Sequence, residues 1–269
     1  MKSILIAVAL LQGTAAPVAA PLTPSGKWIV DYGESACVLQ RDFGSGSART
    51  TVGFKPSPFG DSVEIVTMTA GAKIGYRKSK ARLTLQPSGF TVDADAFMYG
   101  LKANDTTVTT FTALDAAAAT LRTSTGVALL PTAGPSTNIT VTDMAKAFGA
   151  LKTCQADLVK SWGVDPAELD KIAVMAVPAS PSPVAWFSND DYPGDALGNG
   201  QQGTSMILWS IDTSGRVTDC KVIKSSGTAS LDRASCQAVV RRGRYKPARG
   251  NDGKPVLSHA MRRVVWRLP

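Results

Sequence analysis

Ser205-Met206-Ile207-Leu208-Trp209-Ser210-Ile211-Asp212-Thr213-Ser214-Gly215-Arg216-Val217-Thr218-Asp219-Cys220-Lys221-Val222-Ile223 decides the fold of the last part of the chain. From Ser205 to Asp212 apolar side chains dominate both faces, Met206 and Leu208 on one and Ile207, Trp209 and Ile211 on the other. That pattern predicts a central or well-covered strand. Gly215 stands where a short hairpin needs a positive backbone dihedral, with Asp212 and Ser214 supplying turn hydrogen bonds, so Val217 to Ile223 should pair antiparallel with the first strand. Further on, Ser230 is placed to cap a helix whose first turn holds Asp232 and whose end carries Arg241 and Arg242, each charge matching the dipole. Leu231, Ala234 and Ala238 should face the sheet. In the last strand Ala260, Val264, Trp266 and Leu268 alternate with His259, Met261, Arg263 and Arg267, and Trp266 and Leu268 are the expected core residues.

Around this hairpin stand Tyr192-Pro193, Ser225-Ser226-Gly227, Leu231-Asp232, Arg244-Tyr245-Lys246-Pro247-Ala248 and Gly253-Lys254-Pro255-Val256. In this order and spacing, residues 190–269 resemble the C-terminal domain of the TonB family. The resemblance implies a small ββαβ domain that binds and does not catalyse. Its implied partner is an outer-membrane TonB-dependent receptor, whose extended segment adds a strand to the sheet edge. The implied contact residues are Tyr192 and Pro193 with His259, Met261, Arg263 and Val265 of the edge strand Ser258 to Arg267. Two features depart from the family pattern. Asn189-Asp190-Asp191 replaces the glutamine-proline that usually precedes Tyr-Pro, and neither a histidine before His259 nor a Pro-rich spacer is present.

Chain length and a 44% hydrophobic content over 269 residues allow a buried core and favour two domains. The formal charge of +8 is uneven: from Arg216 onward thirteen Lys or Arg face only Asp219, Asp232 and Asp252. Such imbalance suits a solvated face or an anionic neighbour, and with no nucleic-acid motif that neighbour is not expected to be DNA or RNA. Residues 1–20 have Lys2, an apolar run Ile4 to Leu11 and the small-residue end Ala15-Ala16-Pro17-Val18-Ala19-Ala20. This is a signal-peptide layout, predicting export to the periplasm with no membrane anchor after cleavage. Four cysteines fit two disulfides in an oxidising compartment. Three pairings are possible; Cys220 on the second strand and Cys236 on the helix over it are the expected pair, which leaves Cys37 with Cys154.

Residues 27–174 read as a strand-rich α+β domain of unassigned function. Expected strands are Lys27 to Tyr32, Ala36 to Asp42, Arg49 to Lys55, Val63 to Thr69, Ala81 to Leu85, Phe90 to Val92, Ala96 to Leu101, Thr107 to Ala113 and Gly126 to Leu130. Leu114 to Leu121 predicts a short helix. Met144, Phe148, Leu151, Leu158 and Trp162 predict a longer one stopped by Gly163, with Cys154 on the same face. Asp165 should cap a further helix beginning at Pro166. Residues 175–189, with Pro178-Ala179-Ser180-Pro181-Ser182-Pro183, read as a short semi-stiff linker.

Catalytic and cofactor chemistry finds little support. Gly198-Asn199-Gly200-Gln201-Gln202-Gly203 matches the dinucleotide fingerprint in letters only, because a strand rather than a helix follows it. His259 is the sole histidine and reads as a solvent-facing strand residue, while Asp190, Asp191 and Asp195 read as a solvated loop. No metal or cofactor is expected. Trp186, Phe187 and Tyr192 should pack the approach to the domain onto its sheet. Two rival functions remain: an envelope module facing peptidoglycan or another anionic component, and a hydrolase in the N-terminal domain.

Overall fold

The computed structural model describes residues 20–71, 75–101, 105–180 and 183–268. All but the last residue of the expected signal peptide lies outside this set. The first region is an antiparallel sheet of β1 (Ile29–Tyr32), β2 (Cys37–Phe43), β3 (Thr50–Pro56), β4 (Ser62–Ala70), β5 (Arg77–Gln86), β6 (Phe90–Leu101), β7 (Thr106–Leu114), β8 (Gly126–Pro131) and β9 (Thr137–Thr140). Among the described residues the strand order is β1-β2-β3-β4-β7-β6-β5-β8-β9. Residues 22–25 then bridge β9 to the end of β2, beyond the stretch that pairs with β1. Leu22 donates its N–H to the Asn138 carbonyl and accepts from Thr140 N–H, while Ser25 N–H reaches Asp42 and Gly44 N–H reaches Thr23. The sheet therefore closes on itself as a barrel. Its interior is packed with Leu39, Phe43, Phe54, Ile65, Leu83, Leu85, Phe111, Leu129 and Ile139, as apolar burial on the inward period-two positions requires.

Two helices, α1 (Asp115–Leu121) and α2 (Met144–Ser161), follow as the periodicity predicts. Met144, Phe148, Leu151 and Leu158 of α2 join the barrel core, and a disulfide from Cys154 to Cys37 of β2 ties the helix to the sheet. Asp165 caps α3 (Pro166–Leu169), its carboxylate accepting Ala167 N–H at 2.9 Å.

Three expectations for this region need correction. Phe90 to Val92 and Ala96 to Leu101 are one strand, because Asp93 and Asp95 do not break it. They point outward to ion pairs with Arg82, Lys78 and Lys80, which alternation permits. Strand β9 was not anticipated; Thr137-Asn138-Ile139-Thr140 has one buried apolar side chain and takes its place through the barrel's closure. The expected linker is partly built into the second region: β10 (Ile172–Val174) and β11 (Val177–Pro178) precede it and begin it as short paired strands. Pro178 tolerates a strand margin, where a missing N–H costs nothing.

The second region adds α4 (Gly194–Gly198), β12 (Gly203–Ile211), β13 (Val217–Lys224), α5 (Ala229–Arg242), β14 (Tyr245–Lys246), β15 (Arg249–Gly250) and β16 (Ser258–Trp266). Its sheet has the order β13-β12-β16, while β10 pairs with β15 and β11 with β14. The whole is α+β. Strand β12 is central, and its two apolar faces have two different partners. Ile207, Trp209 and Ile211 pack with Leu231, Ala234 and Val239 of α5; Leu208 enters the barrel's apolar cluster, with Ile223 and Met261 packed against it.

The hairpin is as expected: Asp212 Oδ1 accepts from Ser214 N–H and Arg216 N–H, and Gly215 has φ +81°. Cys220 and Cys236 join β13 to α5. Two details differ. The helix begins two residues earlier, with Thr228 at the N-cap, and Ser230 is buried in the first turn. Leu268 is 40% exposed because β16 ends at Trp266 and alternation no longer aims it inward.

Candidate functional site

The three-stranded sheet has two margins, and they are built differently. On β13 the register against β12 shifts twice, between Met206 and Ile207 and between Leu208 and Ser210, and Asp219 sits at φ +46°. Lys221 donates to the Trp162 carbonyl, and Lys224 pairs with Glu34 at 3.0 Å. A bulged, charged margin of this kind resists addition of another strand. Strand β16 is regular: nine consecutive residues, Ser258 to Trp266, pair with Ile211 to Gly203. Its outer margin has no strand partner among the described residues.

The approach segment packs beside this margin on the α5 face. Trp186 is buried with its ring edge-on to Tyr245, centroids 5.3 Å apart, and Arg242 donates to its carbonyl. Arg262 of β16 donates to the Pro183 carbonyl at 3.1 Å and lies over the Phe187 ring. The Tyr192 ring meets Trp266 edge-on at 5.3 Å, and its hydroxyl donates to the Gln201 carbonyl. Pro193 stands at the N-cap of α4.

Electrostatics hold the segment in place. Asp191, read from sequence as a solvated loop residue, has a side chain only 4% exposed and is gripped by Arg241 and Arg242. Burial alone would raise its carboxyl; Ser188 N–H and the Arg242 and Arg241 guanidinium groups outweigh that and keep it below the usual carboxylate range. Asp232 shows the same balance. Burial pushes it up, while Ser225 and Ser205 hydroxyls and Ser226 N–H hold it down. Burial also pushes the Tyr245 phenol up to about 12.

Residues 188–268 match the family model of the Gram-negative bacterial TonB protein C-terminal. A search of solved structures found the solution structure of the TonB C-terminal domain of Pseudomonas aeruginosa, 26% identical, covering 35% of this chain and 86% of that one, with a TM-score of 0.27. No curated protein matches the chain.

Within this TonB-like segment the six residues expected to contact a partner fall into three settings. Tyr192 lies directly on Trp266 at the end of β16, and Pro193, next to it, caps α4. His259 and Met261 face the barrel. His259 is not solvent-facing, as its place on an alternating strand suggested: its side chain is 8% exposed, with Nε2 3.1 Å from Glu168 Oε2, Nδ1 3.3 Å from Ser210 Oγ and the ring against Phe59. Arg263 and Val265, on that same face of the strand, are exposed.

Ser210, His259 and Glu168 thus form a hydrogen-bonded chain in the order of a hydrolase triad. The nitrogens are reversed relative to that mechanism, in which Nε2 faces the serine and Nδ1 the carboxylate. What the chain does here is join β12, β16 and α3 across the two regions. No group of three or more His, Cys, Asp or Glu able to hold a metal occurs among the described residues. Sequence reasoning missed the Asp191 clamp and the Arg262 contact with Phe187. The acidic run before Tyr192 and the paired arginines ending α5 were the available signal for the first; the second had none.

Proposed function

We propose that this is an exported, non-enzymatic, TonB-like protein of the cell envelope that receives an extended peptide segment as a fourth strand on the outer margin of β16. The regular course of β16, with no strand partner on its outer margin among the described residues, set against the bulged β13, is the observation that carries this reading. Strand addition gives affinity through main-chain bonds and specificity through alternate side chains. An outer-membrane TonB-dependent receptor is the partner that the family match favours. The test is calorimetric titration of the full chain with synthetic peptides from receptor N-terminal segments, for which saturable binding is expected. Absence of heat at millimolar peptide would sink the reading.

The excess of Lys and Arg after Arg216 favours a second reading, contact with peptidoglycan or another anionic component. Retention on purified cell wall that vanishes at high salt, with no peptide binding, would support it instead.

A further inference from the structure

We propose a second binding site, in the barrel region and separate from the margin of β16: a cleft beside the starts of β1 and α2 that takes a small organic acid, one carboxylate joined to an apolar ring or short acyl chain. The cleft measures about 390 Å³ and is lined from the approach to β1, from β1 and β2, and from the first turns of α2. That volume lies at the small end of ligand clefts and suits a ring or short chain better than a peptide. Leu39 and Ala147 are buried and Trp28 and Val30 half-buried, which gives the cleft an apolar floor. Lys27, Arg41 and Lys146 bring three positive charges to it, against the single carboxylate of Asp143. Every lining residue precedes the TonB-like segment, so this site and strand addition stand or fall separately.

Arg41 sets this cleft apart from plain basic surface. A surface cation ordinarily stays mobile and hydrated, or pairs with an acid. The Arg41 guanidinium does neither: Nε donates to the Gly26 carbonyl at 2.7 Å, Nη1 to the Thr142 hydroxyl at 3.1 Å, and its carbon lies 5.4 Å from the Trp28 ring centre. The indole is itself pinned, donating Nε1 to the Thr142 carbonyl at 2.9 Å and packing against Phe43 and Phe54. All these partners are neutral, and Arg41, Lys27 and Lys146 make no ion pair among the described residues. The guanidinium is thus fixed in place with its charge uncompensated, and two of its five N–H groups are used. A carboxylate accepts two of the others as a fork, while its apolar body lies along Trp28 and Leu39.

The experiment titrates the full chain calorimetrically with octanoate, octanamide, octylamine, acetate and inorganic phosphate. Octanoate should bind saturably, and octanamide about five- to ten-fold more weakly because its head is neutral. Octylamine, acetate and phosphate should not saturate in the same range. Arg41→Gln should bring octanoate down to the level of octanamide and leave octanamide little changed. Lys146→Gln, at an exposed position of α2, keeps the test open should Arg41→Gln fail to fold; it should weaken octanoate about two- to three-fold and spare octanamide. Equal affinities for octanoate and octanamide, or no binding of octanoate at millimolar concentration, would overturn the site. Acetate or phosphate binding as tightly as octanoate would overturn the apolar half of the proposal. Undiminished preference for octanoate over octanamide in the folded variants would overturn the assignment to this cleft.

Discussion

Replacing Gly215 by Ala tests whether the hairpin and the return of the chain after α5 are one packed unit. A Cβ at this position would lie 1.9 Å from the Tyr245 carbonyl oxygen and 2.9 Å from its carbon. Carbon and oxygen ordinarily settle at about 3.3 Å, so β14 would have to retreat by more than about 1 Å. Backbone, not a flexible side-chain end, is what must move. The retreat would pull Tyr245 N–H from the Gly215 carbonyl, now at 2.8 Å, and disturb the pairing of β14 with β11. The positive φ costs about 1–2 kcal/mol, the lost bond about 1, and the overpacking about 1–3, so about 3–6 kcal/mol in all. Gly227 provides the control: its φ is +89° but nothing lies within 4 Å of an added Cβ. Gly227→Ala should therefore lose only the dihedral part, about 1–2 kcal/mol. Urea unfolding followed by tryptophan fluorescence measures both variants. If Gly215→Ala falls within about 1 kcal/mol of Gly227→Ala, the steric argument is wrong.

Two further perturbations follow from the same packing. Asp232→Ala removes the acceptor for Ser205 and Ser225 hydroxyls and Ser226 N–H, at 2.7, 2.5 and 2.8 Å, and leaves the fully buried Ser205 unpaired, for a loss of about 2–4 kcal/mol in thermal unfolding. Since the folded Asp232 carboxyl is lowered from its ordinary 3.8, its stabilisation is complete above that value and disappears as pH falls through the lower folded one. Asp232→Asn should accordingly flatten part of the acid-side decline in melting temperature, and an unchanged slope would count against the assignment. The disulfides should rank by the loop they close. Cys37–Cys154 spans 117 residues and Cys220–Cys236 spans 16, so the paired serine replacements should cost about 4–5 and about 3 kcal/mol in the chain-entropy view. Equal or reversed urea midpoints would contradict it.

Much of the C-terminal segment was legible in sequence because its signals are local. Apolar residues on both faces of β12, the Asp212–Gly215 turn and the cysteine spacing each specify structure within a few residues. The same two-faced pattern also implied a second covering surface, but only the coordinates identify that surface as the barrel. What sequence hid was long-range. The closing of the barrel by residues 22–25 leaves no periodic trace, and β9 is too short to announce itself. His259 looked solvated because alternation tells which face a side chain takes and not what comes to lie against that face. At the candidate site, the regularity of β16 was readable from its alternation, whereas the bulges of β13 were not. They arise from register shifts that only the paired strand reveals.

The barrel's closure by Leu22 beside Ile139 sets an order on how this molecule can be made. Leu22 can be held at this margin only once β9 exists, far along the chain, so it is among the last parts of the barrel to find its neighbours. Contacts so distant along the chain favour slow, collective formation over stepwise growth.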